Sequence, residues 1–215
     1  MDIYNIGNDI LVYNEDTHQY FLNGSPVMSV TTAMKLVNDK YQFVPKSTLL
    51  NAQMRGNRVH HEIQMFENYR VEPDQPSKEL CNYKLLKKLF KFEVIENEQP
   101  VIIRYGDFVL AGRFDLLLQI DNLKMMVDIK TTSTYHKFDI ALQTALYQLG
   151  YNQCYGEEKG VVGACGGIHL NGDKYKFDKF LPKADLQLFF KQLKEVIEDK
   201  KEKENANSDD NRSNG

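Results

Sequence analysis

The first thirty residues alternate apolar and polar positions in short β-prone runs. Ile10-Leu11-Val12-Tyr13 and Tyr20-Phe21-Leu22 are two such runs, and Asn23-Gly24 is a tight-turn signal ahead of Pro26-Val27, so a β-hairpin region is expected over 10–30. From Thr31 the period lengthens: Ala33, Met34 and Val37 predict a short helix, and Pro45 closes a loop. Ser47 reads as the N-cap of a helical stretch through Leu49, Leu50 and Met54, which Gly56 interrupts. Val59, Ile63 and Phe66 then recur at helical spacing until Pro73 and Pro76, and a further helix is expected over 77–92 with Leu86, Leu89 and Phe90 inward.

The middle of the chain changes period. Strands are expected at 100–104, 108–120 and 124–131, joined by turns at Tyr105-Gly106-Asp107 and Asp121-Asn122, so short that the strands must be antiparallel neighbours. A helix over 138–152 carries Ile140, Leu142, Leu146 and Leu149 on one face. A glycine-rich apolar strand (161–170), the turn Asn171-Gly172-Asp173 and a strand (174–181) follow. Pro182 opens a last helix with Leu186, Phe189, Phe190, Leu193 and Val196 as its apolar face. Beyond Glu198 the residues are polar without period, which predicts frayed helix and a disordered polar tail over 201–215. The order predicts an α/β (α+β) fold in which a central mixed β-sheet is flanked by helices, αβββαβ. A single domain over 1–200 is expected, with the N-terminal β-hairpin as decoration.

Composition narrows the function classes. With 27 Lys plus Arg against 30 Asp plus Glu in 215 residues, the chain has no globally basic coat, although a local basic patch is compatible with that balance. The apolar runs are far shorter than the ~20 residues of a membrane span, so no membrane association is expected. The first residues lack the basic and apolar regions of a secretory signal, and the three cysteines, Cys81, Cys154 and Cys165, are too scattered for a disulfide framework or a Cys-x-x-Cys site. A cytoplasmic protein with reduced thiols is the expectation.

Two acidic residues interrupt strands that otherwise read as buried. Asp115 follows Val109-Leu110-Ala111-Gly112-Arg113-Phe114, and Asp128 lies in Val127-Asp128-Ile129-Lys130. A carboxylate in such a strand is costly unless paired or bound to a cation. Period two puts Asp128 and Lys130 on one face, with Ile129 in the opposite layer. Two hard oxygen ligands beside an ammonium suit a divalent-metal site that activates water against a phosphodiester; a structural Asp–Lys ion pair is the alternative. Gln143 and Tyr147, at i and i+4, share a face of the following helix. On the earlier helix His60 borders the Val59–Ile63–Phe66 stripe, with Glu62 on its other border; by hardness alone Glu62 is the better magnesium ligand.

Taken in order, Gly56-x-x-Val59-His60, Gly112-x-x-Asp115, Asp128-Ile129-Lys130 and Gln143-x-x-x-Tyr147 resemble the PD-(D/E)XK nuclease superfamily, and within it the RecB-like branch of phage-type exonucleases and CRISPR adaptation nucleases. Tyr20-Phe21-Leu22-Asn23-Gly24 with Ser29-Val30-Thr31 resembles the start of phage-associated members, so the likeness spans 18–150. It implies a restriction-endonuclease-like core and a metal-dependent DNA exonuclease of phage-type recombination or repair; a non-catalytic nucleic-acid-binding or scaffold domain is the alternative. By the same resemblance His60, Asp115, Asp128 and the Ile129 carbonyl hold Mg2+ or Mn2+. Lys130 orients or deprotonates the attacking water, and Gln143 and Tyr147 support the site. The third motif is Asp-x-Lys where Glu-x-Lys is commoner. No iron–sulfur cluster is expected, because three scattered cysteines cannot supply four ligands. The implied partners are a single- or double-stranded DNA end, a phage single-strand annealing or DNA-binding protein, and further copies of the chain.

DNA contacts are expected from Arg55, Arg58 and Thr131, and from Lys84, Lys87, Lys88 and Lys91, which form a basic stripe at i, i+3, i+4 and i+7. Tyr41, Phe43 and Tyr135 are candidates for stacking on bases, with core packing as the ordinary alternative.

Overall fold

Four strands open the chain: β1 (Asp2–Ile6), β2 (Asp9–Asn14), β3 (Gln19–Leu22) and β4 (Ser25–Ser29), each antiparallel to the next. The computed structural model describes residues 1–39 and 43–213, so Tyr41 lies outside the described residues. The expected hairpin region, 10–30, holds the last three strands of a four-stranded meander. The turn between β3 and β4 needs left-handed backbone at Asn23 (φ 50°) and Gly24 (φ 84°), as its Asn-Gly sequence implied.

Ser29 ends β4 and caps α1 (Val30–Val37), its hydroxyl accepting the Thr32 N–H at 3.1 Å. The long α2 (Lys46–Tyr69) runs unbroken through Gly56, where an interruption was expected, and Pro45 rather than Ser47 is its N-cap. Gly56 faces the loop after β7, where a Cβ would stand in ordinary contact, 3.4 Å from Thr131 Oγ1. Ser77 caps α3 (Lys78–Phe90), accepting the Leu80 N–H at 3.1 Å. Leu80, Tyr83 and Leu86 are buried, but Leu89, expected inward, is 71% exposed. At about 100° per residue an i, i+3 stripe drifts around the helix, and Leu89 ends half a turn away from Leu80.

The central sheet is completed by β5 (Glu93–Tyr105), β6 (Phe108–Ile120), β7 (Leu123–Lys130), β8 (Ala164–Asn171) and β9 (Lys174–Asp178). Between β7 and β8 the chain crosses over through α4 (Lys137–Lys159), and α5 (Leu186–Ser213) closes it. The strand order is β1-β2-β3-β4-β6-β7-β8-β9, with β5 paired to β6; β4–β6 and β7–β8 are parallel and the other pairs antiparallel. This is the mixed, helix-flanked sheet expected from the order of elements. Residues after 200 differ from expectation. They continue α5 as far as Ser213; Lys201 to Glu204 are good helix formers, and the earlier turns pair Lys191 with Glu195 and Lys194 with Glu198 at 3.9 Å.

One face of the sheet buries Val101, Ile103, Leu110 and Phe114 against Leu146, Tyr147 and Tyr151 of α4 and Phe189, Phe190 and Leu193 of α5. The other buries Leu116, Leu118, Val127 and Ile129 against Val59 and Ile63 of α2 and Leu80, Tyr83 and Leu86 of α3. Each such side chain contributes about 1.5–3 kcal/mol when fully buried. Phe114 and Leu116 belong to opposite layers although they are two residues apart, so the alternation of β6 breaks at Asp115. The break faces Glu98, the one residue of β5 with left-handed backbone (φ 49°).

Candidate metal centre

The same edge of β6 is shared by two strands. β4 pairs with it at Leu110 and Ala111, and β7 pairs with it from Leu116 to Ile120. No described strand pairs 112–115 on that edge, because β7 diverges from β6 after Val127 while its other edge stays paired with β8 from Met125 to Lys130. Asp115 occupies the mouth of this fork, and its Oδ2 accepts the Ile129 N–H at 2.6 Å. That bond joins the two diverging strands at the point where their ladder ends.

Asp128 and Lys130 project from β7 on the face that α4 covers, while Ile129 is buried in the opposite layer, as period two predicted. Asp128 is 1% exposed. Lys130 Nζ donates to Asp128 Oδ1 at 2.9 Å and to Gln143 Oε1 at 3.0 Å, and Gln143 Nε2 lies 3.4 Å from the Tyr147 hydroxyl. The i, i+4 pair of α4 thus forms a chain of polar contacts ending on the lysine. Gly112 admits it: a Cβ there would meet Tyr147 Cε1 at 2.6 Å and Val30 Cγ2 at 3.3 Å. Burial pushes the Tyr147 hydroxyl well above its ordinary range, so it stays protonated.

His60 reaches the fork from α2. Its Nε2 is 3.2 Å from the Ile129 carbonyl, and its Nδ1 is 3.6 Å from Asp115 Oδ1 and 3.5 Å from Glu98 Oε1. His60, Glu98 and Asp115 each offer a ligand atom within 4.8 Å of the others. Burial depresses the imidazole, but Asp115, Glu98 and Asp128 outweigh it and raise His60 to about 9. Burial raises Asp115, and it raises Asp128 to about 6 against the pull of Lys130. The donor set is a nitrogen and several carboxylate oxygens, the chemistry a divalent cation takes. Asp128 Oδ2 points the same way. It is wholly buried, 2.8 Å from the Lys130 ammonium, and receives no well-directed hydrogen bond. These residues fit a metal ion.

Glu62 is employed elsewhere. Its carboxylate accepts the Ser77 N–H at 3.1 Å and the Ser77 hydroxyl, anchoring the start of α3, with Arg58 3.7 Å away. The proposed DNA contacts fare unevenly. Arg55 donates through Nη2 to the Thr131 carbonyl, so both bind the loop after β7 to α2. Arg58 is largely exposed, and Thr131 is buried. Lys84 pairs with Glu72 and Lys87 with the buried Glu67, both at 2.7 Å; Lys88 and Lys91 are exposed. Half of the expected basic stripe is neutralised within the fold. Phe43 is 90% exposed, whereas the Tyr135 ring is held under the Lys176 ammonium at 3.9 Å and against the His169 ring at 5.2 Å.

Sequence reasoning missed Glu98, because the mostly polar run 93–99, apolar only at Val94 and Ile95, hides the first half of β5; only its position opposite Asp115 marks it. It also missed His169, whose Nε2 donates to the Thr132 carbonyl at 2.7 Å. The Lys130↔His169 register that places it is invisible without the parallel β7–β8 pairing.

The family model of the PD-(D/E)XK nuclease superfamily matches residues 80–212, more than half of the chain, and the chain belongs to that superfamily. Its members are generally divalent-metal nucleases. No curated protein matches the sequence. Among solved structures, SSO0001 aligns with a TM-score of 0.37 at 16% identity, over 77% of this chain and 73% of that one.

Proposed function

We propose that this protein is a metal-dependent DNA exonuclease of the RecB-like, phage-type branch, acting in recombination or repair. The observation that carries the reading is the fork itself, where Asp115, Asp128, His60 and Lys130 converge from three elements. His60, Asp115, Asp128 and the Ile129 carbonyl would hold magnesium or manganese, with Glu98 beside them. A divalent ion there supplies Lewis acidity to a phosphate oxygen and lowers the pKa of water. The chain's own part follows from its contacts. Lys130, fixed by Asp128 and Gln143, orients the attacking water and offsets charge gathering on the phosphate. Gln143 and Tyr147 keep the ammonium aimed at that point.

The test is degradation of end-labelled linear DNA with magnesium, manganese or chelator. Asp115→Asn and Asp128→Asn should each abolish cleavage while the variants melt no lower than wild type without metal, since each swap removes charge from a cluster of carboxylates. Covalently closed circles should survive an exonuclease. Near wild-type cleavage by either variant would refute the site, and attack on circles would overturn the exonuclease assignment.

A further inference from the structure

We propose that the substrate strand leaves the cleavage site across the β8–β9 edge, where Lys176 and Lys174 take the phosphates neighbouring the cleaved one; this rests on the nuclease reading above. The register places them there. Lys130 is partnered by His169 on β8, and His169 by Lys176 on β9; one step aside, Asp128, Gly167 and Asp178 form a parallel row, and Asn171 is opposite Lys174. Cross-strand partners project from one side of a sheet, so Lys174 and Lys176 share the face of Asp128 and Lys130. Phe177, next along β9 after Lys176, points the other way and packs edge-on against Phe90 and Phe92. Two strand spacings of about 4.8 Å separate β9 from β7, within the reach of lysine side chains along one backbone.

The row is built. His169 is 7% exposed and fixes the loop after Lys130 through the Thr132 carbonyl. Tyr135 from that loop lies over Gly167, where any Cβ would collide with its hydroxyl, and its ring carries the Lys176 ammonium at 3.9 Å. Lys176 is 48% exposed along its side chain and pairs with Asp178 at 3.1 Å; an exposed pair of this kind is weak and yields to a phosphate. Lys174 is exposed beside it. By contrast Lys87 lies on the helix layer of the opposite face, its ammonium held by the buried Glu67 carboxylate.

The test is binding of a short labelled single strand in an Asp128→Asn background, as a function of salt. Adding Lys174→Ala and Lys176→Ala should weaken binding and reduce the slope of log affinity against log salt by about 1–2, whereas adding Lys191→Ala, on the exposed side of α5, should change neither. Lys176→Arg in place of Lys176→Ala should restore most of the slope, which a folding defect would not allow. In the otherwise unaltered enzyme the double variant should raise KM while the saturating single-turnover rate stays within about twofold. An unchanged slope, or loss of the saturating rate with unchanged KM, overturns the track. If the unaltered protein cleaves no DNA with any metal, the nuclease reading fails instead, and the salt slope alone still decides the track.

Discussion

A proton and a metal ion compete at His60. Its two ring nitrogens face the Ile129 carbonyl on one side and the Asp115 and Glu98 carboxylates on the other, and the carboxylates raise it to about 9 despite burial. A histidine with a raised folded-state pKa contributes stability that is complete below its unfolded value, about 6.5, and lost as pH climbs through the folded one. Asp128, raised to about 6 by burial, acts in the same direction: the folded state loses ground as pH rises from about 4 to about 6. In chelator the melting temperature should therefore fall as pH rises from about 5 to about 9. Manganese should raise it more at the alkaline end, because the ligands bind a cation deprotonated. A flat profile in chelator would contradict this electrostatic account. Lys130 has two acceptors, and Lys130→Ala separates its roles. The catalytic assignment expects turnover to drop by orders of magnitude, on the order of 10² or more, with metal and DNA binding retained. If the lysine only neutralises Asp128, the variant should instead lose a few kcal/mol of stability, about 3–5 at most, with no cleavage defect once folded.

At the scale of elements, helix contacts decide which acid serves the metal. Glu62 holds the N-terminus of α3 through both Ser77 groups, so Glu62→Ala should cost about 1–3 kcal/mol in stability and leave the metal concentration for half-maximal cleavage unchanged. His60→Ala should do the reverse, and a large shift in metal requirement for Glu62→Ala would reassign the ligand. Gly112→Ala tests the α4 seat: with Tyr147 Cε1 only 2.6 Å from the added carbon, the ring must move, at about 1–3 kcal/mol and with loss of the Gln143 contact. Much of this arrangement was legible beforehand. Asp115, Asp128 and Lys130 stand out as polar residues in apolar strands, and Gln143 and Tyr147 as a helical i, i+4 pair. What stayed hidden has physical causes. The start of β5 carries a register shift between Val94 and Glu96 and left-handed backbone at Glu98, which erase the two-residue alternation that marks a strand. Gly56 reads as a helix breaker, but packing of α2 against the sheet through Val59 and Ile63 carries the helix through it. Charge pairing is equally non-local: the Lys84–Lys87 face looks free until Glu67 and Glu72 fold against it.

For the whole molecule the N-terminal strands are part of the packed core. Ile6, Leu11 and Tyr20 form one buried cluster with Ile102 of β5 and Ala111 of β6. Arg104 reaches back to Asp9 at 2.8 Å, and Arg113, which pairs with Glu98 at 2.9 Å, lies over the Tyr13 ring at 5.4 Å. The meander is thus tied to the strand that bears Asp115 and, through Glu98, to His60. Because β4 also supplies the parallel partner of β6 at the edge of the fork, its removal would open that edge and expose Ile102 and Ala111. The expectation is one cooperative unit. The chain has no tryptophan and 12 tyrosines, of which Tyr4, Tyr13 and Tyr20 sit in the meander, so tyrosine emission and far-ultraviolet dichroism sample overlapping but distinct parts of it. In urea both signals should give a single transition with the same midpoint. A chain starting at Ser25 keeps β4 but should lose several kcal/mol, since each of the three lost apolar side chains had contributed about 1.5–3 and the Asp9 and Tyr13 contacts to β5 and β6 go with them, and metal binding should weaken as the packing behind the fork loosens. Two separated transitions, or a truncated chain that melts like the full one and still binds manganese, would show that the meander folds apart from the nuclease core.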